Sequence, residues 1–169
     1  LIAIADSLGN QTRYTLDAMG NRIRDDSLDP AGQLVQFRRR SFDALGRLVQ
    51  DIGARDQITT YTYDPNGNRS TLTDPLSQRT LFAYDGLDRL IQLTNPDLGQ
   101  TRYRYDGQNR LIQVTDPRHL RTIYTEDGLG NRLQQQSPDT GQTTSTHDAA
   151  GNAVTRTDAK GQVTSFAYD

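Results

Sequence analysis

The sequence predicts an all-β chain of antiparallel β-hairpin repeats forming a curved ribbon, and three observations carry that reading. An aspartate recurs at a fixed interval, the residues before it alternate like a half-buried strand, and those after it spell a tight turn. The aspartates are Asp17, Asp43, Asp64, Asp85, Asp106, Asp127, Asp148 and Asp169, spaced 26 residues once and 21 residues thereafter. Chance does not hold one spacing over six successive intervals in a globular domain. Residues 1–169 therefore read as one repeat region of about seven units, with a longer, irregular unit at 17–43.

The first strand of each unit leads into this anchor aspartate. Five residues before it stand Thr12, Thr59, Thr80, Thr101, Thr122, Thr143 and Thr164, interrupted by Arg38. Three before it stand Tyr14, Tyr61, Phe82, Tyr103, Tyr124 and Phe166, and one before it Leu16, Phe42, Tyr63, Tyr84, Tyr105 and Tyr168. Positions two apart share one side of a strand, so these columns share a face. Thr62, Ala83, Arg104, Thr125 and Ala167 lie between them and belong to the other face.

The turn is clearest at Asp64-Pro65-Asn66-Gly67-Asn68. Asp caps it with its side chain, Pro fixes the next φ, and Gly takes the left-handed conformation of a three-residue hairpin loop. Gly20, Gly46, Gly130 and Gly151 hold the same place, and Asp88 and Asn109 substitute there because both types tolerate positive φ. A second strand follows, with Ile23, Val49, Ile91, Ile112, Leu133 and Val154 six residues after the anchor and Ser70 breaking the column once. It ends in a second turn, marked by Asp74-Pro75, Asn95-Pro96, Asp116-Pro117, Ser137-Pro138 and Asp158-Ala159. The aliphatic column is expected on the aromatic face, so that the ribbon curls with this face inward. The residues expected to hold the repeats together are Tyr63, Asp64, Gly67, Tyr84, Asp85, Tyr105, Asp106, Asp127, Gly130, Asp148, Gly151, Tyr168 and Asp169.

Composition agrees with a thin wall. Leu, Ile, Val and Phe make up about a fifth of the chain, at the edge where disorder competes with folding. Yet 19 basic and 21 acidic residues nearly cancel, so self-repulsion is weak. A one-layer wall needs a single apolar face and suits such a content. The chain has no cysteine, which removes disulfides, zinc ribbons and thiol nucleophiles. Lys160 is its single lysine, and the arginines are scattered among acids without the basic stripe of a nucleic-acid reader. No apolar run is long enough for a membrane-spanning helix. The start lacks a basic leader and an initiator Met, and the chain stops on an anchor, Asp169. It is expected to be an interior length that depends on neighbouring repeats, and in isolation to associate or melt below about 65 °C.

The columns Thr, x, aromatic, x, Tyr, Asp, x, x, Gly, Asn or Arg, Arg or Leu, followed by Thr-Asp-Pro, x, Gly, Gln, x, Thr, resemble the YD repeat of Rhs proteins. That repeat also occurs in the shell-forming components of insecticidal toxin complexes and in animal teneurins. The resemblance covers essentially the whole chain. It implies a segment of a hollow spiral β-shell in a secreted or cell-surface bacterial protein, with the remaining repeats of the same polypeptide and an enclosed toxin or cargo domain as partners. The chain has no Trp, so the resemblance does not extend to the family's core-closing segment, nor to a trafficking or toxin domain.

No constellation of residues points to chemistry. His119 lies in a turn and His147 replaces a tyrosine, with no ligand spacing around either. Asp25, Asp26, Asp29 and Gly32 lack the alternation and closing Glu of a calcium loop. Regular aspartates are accounted for by turn capping and need no glycosidase pair. Asn10-Gln11-Thr12 and Asn68-Arg69-Ser70 match a glycosylation acceptor but fall in the repeat's own turn columns. The expectation is therefore no enzyme, no cofactor and no metal. The competing reading is an extracellular carbohydrate-binding or adhesive module, because rows of Tyr and Arg can stack on sugars. Arg38 and Arg40 stand where Thr and an aromatic belong, and the simplest reading is a longer hairpin with solvated charges, the sharper one a lumenal patch against cargo.

Overall fold

A computed structural model describes residues 2–169, which are all-β with antiparallel pairing throughout. The chain divides within one strand, between Phe82 and Ala83, into two units. The first holds β1 (Ile2–Ala5), β2 (Gln11–Leu16), β3 (Arg22–Leu28), β4 (Leu34–Phe42), β5 (Leu48–Ile52), β6 (Ile58–Tyr63), β7 (Arg69–Thr73) and most of β8 (Arg79–Tyr84). The second holds β9 (Leu90–Thr94), β10 (Gln100–Tyr105), β11 (Leu111–Thr115), β12 (Arg121–Glu126), β13 (Arg132–Ser137), β14 (Gly141–His147), β15 (Ala153–Thr157) and β16 (Val163–Ser165). Within each unit every strand pairs with the next in chain order, so each unit is a meander of hairpins.

The two kinds of turn named by the sequence have one geometry. In the first, Asp64 N donates to Asn68 O and Gly67 N to Asp64 O, at 2.8 and 3.1 Å, with Gly67 at φ +94°. In the second, Asp74 N donates to Gln78 O and Ser77 N to Asp74 O, at 2.9 and 3.0 Å. Asp88 and Asn109 adopt the expected positive φ, at 59° and 65°. So do Ser77, His119 and Leu98, at 62°, 64° and 68°. Leucine has no side-chain oxygen to support that conformation, and Leu98 is 79% exposed, so its side chain adds no packing to offset the strain. Leu98→Asn is therefore expected to stabilise the chain by about 1 kcal/mol, read as a higher urea midpoint. An unchanged midpoint would show that the turn carries no strain.

Among the described residues each unit is a single layer of sheet. Among the described residues Leu28, Asp51 and Thr94 are the buried ones, and no side chain is fully enclosed. The faces sort as the sequence requires. Thr59, Tyr61 and Tyr63 in β6 are half-buried with Thr62 exposed, and Tyr103 and Tyr105 in β10 are half-buried with Arg102 and Arg104 exposed. Phe82 and Tyr84 are half-buried beside exposed Ala83.

One expectation needs correction. The aliphatic column six residues after the anchor does not lie on the aromatic face. Tyr63 pairs with Arg69 and Thr62 with Thr71, which leaves Ser70 as an extra residue, and Ile23, Val49, Ile112, Leu133 and Val154 are extra in the same way. Such a β-bulge sets two residues of one strand against one of its partner, so the extra residue turns to the far face. The Ser70 hydroxyl accordingly meets that of Thr62 at 2.9 Å. This is why a serine is accommodated there. The aliphatic partners of the rings are instead Leu48, Leu72, Leu93, Leu111 and Val114, paired with or flanking the aromatic columns.

Candidate functional site

The aromatic face concentrates the recurring polar chemistry, and the anchor loops build it. Asp106 Oδ1 accepts from the backbone N–H of Gln108 and Arg110, at 2.8 and 2.9 Å, while its Oδ2 accepts from Arg110 Nε at 2.7 Å. Asp85 binds Leu87 N, Arg89 N and Arg89 Nε likewise, and Asp43 binds Leu45 N, Arg47 N and Arg47 Nε. Where the fourth residue on is asparagine, its side-chain amide replaces the guanidinium, as Asn131 does on Asp127 and Asn152 on Asp148. Asp64 takes Asn68 in this way, at 3.3 Å. Gly67, Gly130 and Gly151 supply the left-handed turn residue, whereas Tyr168 and Asp169 lie beyond β16 and are exposed.

These contacts hold the carboxyls of Asp17, Asp43, Asp85, Asp106, Asp127 and Asp148 below the usual carboxylate range, chiefly through hydrogen bonds from the residue four on. A depressed folded value means stability that is complete above the unfolded value and lost as pH falls through the folded one. Urea midpoints are thus expected to stay level down to about pH 4 and to decline below it. A midpoint unchanged at about pH 3 would contradict this role of the loops.

The same arginines tie each loop to the next repeat. Arg47 stacks on the Tyr63 ring at 4.5 Å and Arg89 on Tyr105 at 4.9 Å. Tyr63 Oη donates to Leu48 O at 2.7 Å and Tyr105 Oη to Leu90 O at 3.0 Å. Arg110 donates to Asp127 O at 2.6 Å. Ring, hydroxyl and guanidinium therefore form a ladder along the face. Burial pushes the Tyr105 phenol above its ordinary value.

The irregular unit replaces that ladder with charge. Register sets Asp25 opposite Arg38 and Arg40 opposite Asp51 on the aromatic face. The ion pairs cross: Arg40 meets Asp25 at 3.0 Å, while Arg38 grips Asp51 through two hydrogen bonds, one of them 2.7 Å. Asp51 is 9% exposed, and the bonded Arg38 guanidinium holds its carboxyl below the usual range. The longer hairpin is present, since β4 runs nine residues, but its charges are paired across strands rather than simply solvated. Asp51 was invisible as a member of this set because its partner stands 13 residues away. Glu126 is a second such residue, in the place of an anchor tyrosine, bonded to Arg132 at 3.1 Å with Arg110 at 3.6 Å. Its signal in the sequence is the interruption of the tyrosine column. His147 is another polar interruption, while His119 sits exposed in its turn. Among the described residues no cluster of His, Cys, Asp and Glu could hold a metal ion, and no helix is long and apolar enough to cross a membrane.

A face of this kind, repeated by one loop and ladder unit, defines a repeat protein, and sequence comparison identifies which. The RHS Repeat family matches residues 42–79, 70–100, 84–122 and 147–169, more than half of the chain. The chain belongs to the RHS repeat family. Among curated proteins none matches by sequence. Similar solved structures include TcdB2-TccC3 with Cdc42, at TM-score 0.75 and 17% identity, over 89% of this chain and 9% of that one. TcdB2-TccC3 alone gives TM-score 0.75 and 18% identity over 88% and 9%. The Photorhabdus luminescens Tc holotoxin pore, carrying a TccC3 variant, gives 0.73 and 17% over 89% and 9%. These neighbours share the fold, and the chain spans about a tenth of their length.

Proposed function

We propose that residues 1–169 are one repeat region serving as a structural segment of a β-shell that encloses a toxin or other cargo domain. In this reading its direct partners are further repeats of the same polypeptide and the enclosed domain, and it works outside the producing cell or at its surface without catalysis. The observation that carries the reading is the ladder. The anchors Asp64, Asp85, Asp106, Asp127 and Asp148 make their side-chain bonds within their own loops, and tyrosines and arginines such as Tyr63, Tyr105 and Arg110 tie those loops to the next repeat. The similar Tc toxin structures support the architecture. The carbohydrate-binding alternative gains nothing here, because guanidiniums already occupy ring faces at Tyr63, Tyr105 and Tyr124.

The test uses the intact polypeptide that contains these repeats. Limited proteolysis followed by mass analysis is expected to leave a second domain uncut while it remains with the repeats, and to degrade it once the repeats are unfolded in urea. Equal cleavage of that domain before and after unfolding would overturn the enclosing role. Saturable binding on a glycan array would favour the alternative.

A further inference from the structure

On the aromatic face of the second unit, over β13 to β15, the repeat loses its rings. Ser145 stands three residues before Asp148 and His147 one before it, where most units carry Tyr or Phe. Register sets Ser145 opposite Arg156 and His147 opposite Ala153, so two ring positions become small or short side chains. A hollow of about 290 Å³ results, with Phe166 as part of its wall. That is near the lower end of ligand pockets, roughly 300 Å³, so an occupant would be small.

The lining is chemically one-sided. Arg132, Arg156 and His147 contribute nitrogen donors, Thr143 and Ser145 hydroxyls, and none of the lining residues is a carboxylate. The chain carries 21 acidic residues, and hollows in the first unit include Asp51, Asp25, or Asp56 with Asp74 in their walls. His147 Nδ1 is buried and has no hydrogen-bond partner among the described residues. A buried polar atom left in that state costs free energy, which a turn of the imidazole toward an acceptor in the hollow would recover. Arg132 is held in place, bonded to Glu126 at 3.1 Å and stacked on Tyr124 at 4.2 Å. Two guanidiniums, an imidazole and two hydroxyls around one small hollow complement an oxygen-rich anion.

We propose that this hollow is a binding site for a small oxyanion, a carboxylate or a phosphate, held by Arg132 and Arg156 with His147, Thr143 and Ser145 completing the hydrogen bonds. The inference is independent of what the wall encloses. Long-range ¹H–¹⁵N spectra of the chain resolve its two histidines, and His119, exposed in a turn, is the internal reference. Sodium phosphate and sodium citrate are titrated separately, with ionic strength held constant by sodium chloride.

The expected result is a saturable shift of the His147 signals by one or both oxyanions, with His119 unmoved. Saturation by phosphate alone assigns a phosphoryl ligand, and by citrate alone a carboxylate. Arg156→Gln, an exposed position, is expected to weaken binding about tenfold, the loss of one charge-assisted hydrogen bond. Should the variant fold poorly, the wild-type titrations still decide. Absence of saturation with both salts, equal movement of both histidines, or unchanged affinity in a folded Arg156→Gln chain would each overturn the site.

Discussion

Truncating Tyr105 to alanine is expected to lower the stability of the chain by about 2 kcal/mol, below the usual cost for a fully buried aromatic because its ring is half-buried. Three contacts go together: the ring beside Leu111 across the strand pair, the cover of Arg89 at 4.9 Å, and the hydroxyl bond to Leu90 O at 3.0 Å. Tyr105→Phe keeps the first two and removes the third, so it is expected to cost about 1 kcal/mol. Urea unfolding of the three proteins separates these contributions. If the phenylalanine and alanine variants were equally unstable, the hydroxyl rather than the ring would be the tie between repeats.

Asp51→Ala is expected to destabilise by about 1–2 kcal/mol, less than for a fully buried pair because the Arg38 side chain is 53% exposed and partly screened. The variant strands Arg38 beside Asp25 and Arg40 without its bidentate acceptor. The double variant Arg38→Thr, Asp51→Leu returns these positions to the residue types of neighbouring units, where Thr59 and Leu72 occupy the columns. Replacing a paired set by apolar packing is often neutral, so the double variant is expected to regain most of the lost stability. A double variant as unstable as the single one would show that the pair is required in its own right.

Much of this was legible because turns and alternation are local. Asp64-Pro65-Asn66-Gly67 states its own conformation, and Tyr61 and Tyr63 state their shared face, without reference to any distant residue. What lay hidden depends on register between strands. Ile112 looks like core in the sequence, and only its lack of a partner between Leu111 and Gln113 shows that it faces away. Arg38 and Arg40 look solvated until β5 and β3 bring Asp51 and Asp25 beside them. The face of the wall was readable residue by residue; its seams were not.

The bulges have an arithmetical consequence. Side chains on a strand alternate with period two, and a repeat of odd length, 21, would place its aromatic column on opposite faces in successive units if every ladder were regular. Tyr61 is odd-numbered and Phe82 even-numbered, yet both are half-buried on one face, because Ser70 absorbs one residue between them. The irregular unit obeys the same rule. Its interval of 26 is even, and it holds two extra residues, Ile23 and Val35, so Tyr14 and Arg40 also keep one side. A unit of this ribbon can therefore lengthen freely, provided that the parity of its length matches the parity of its bulges.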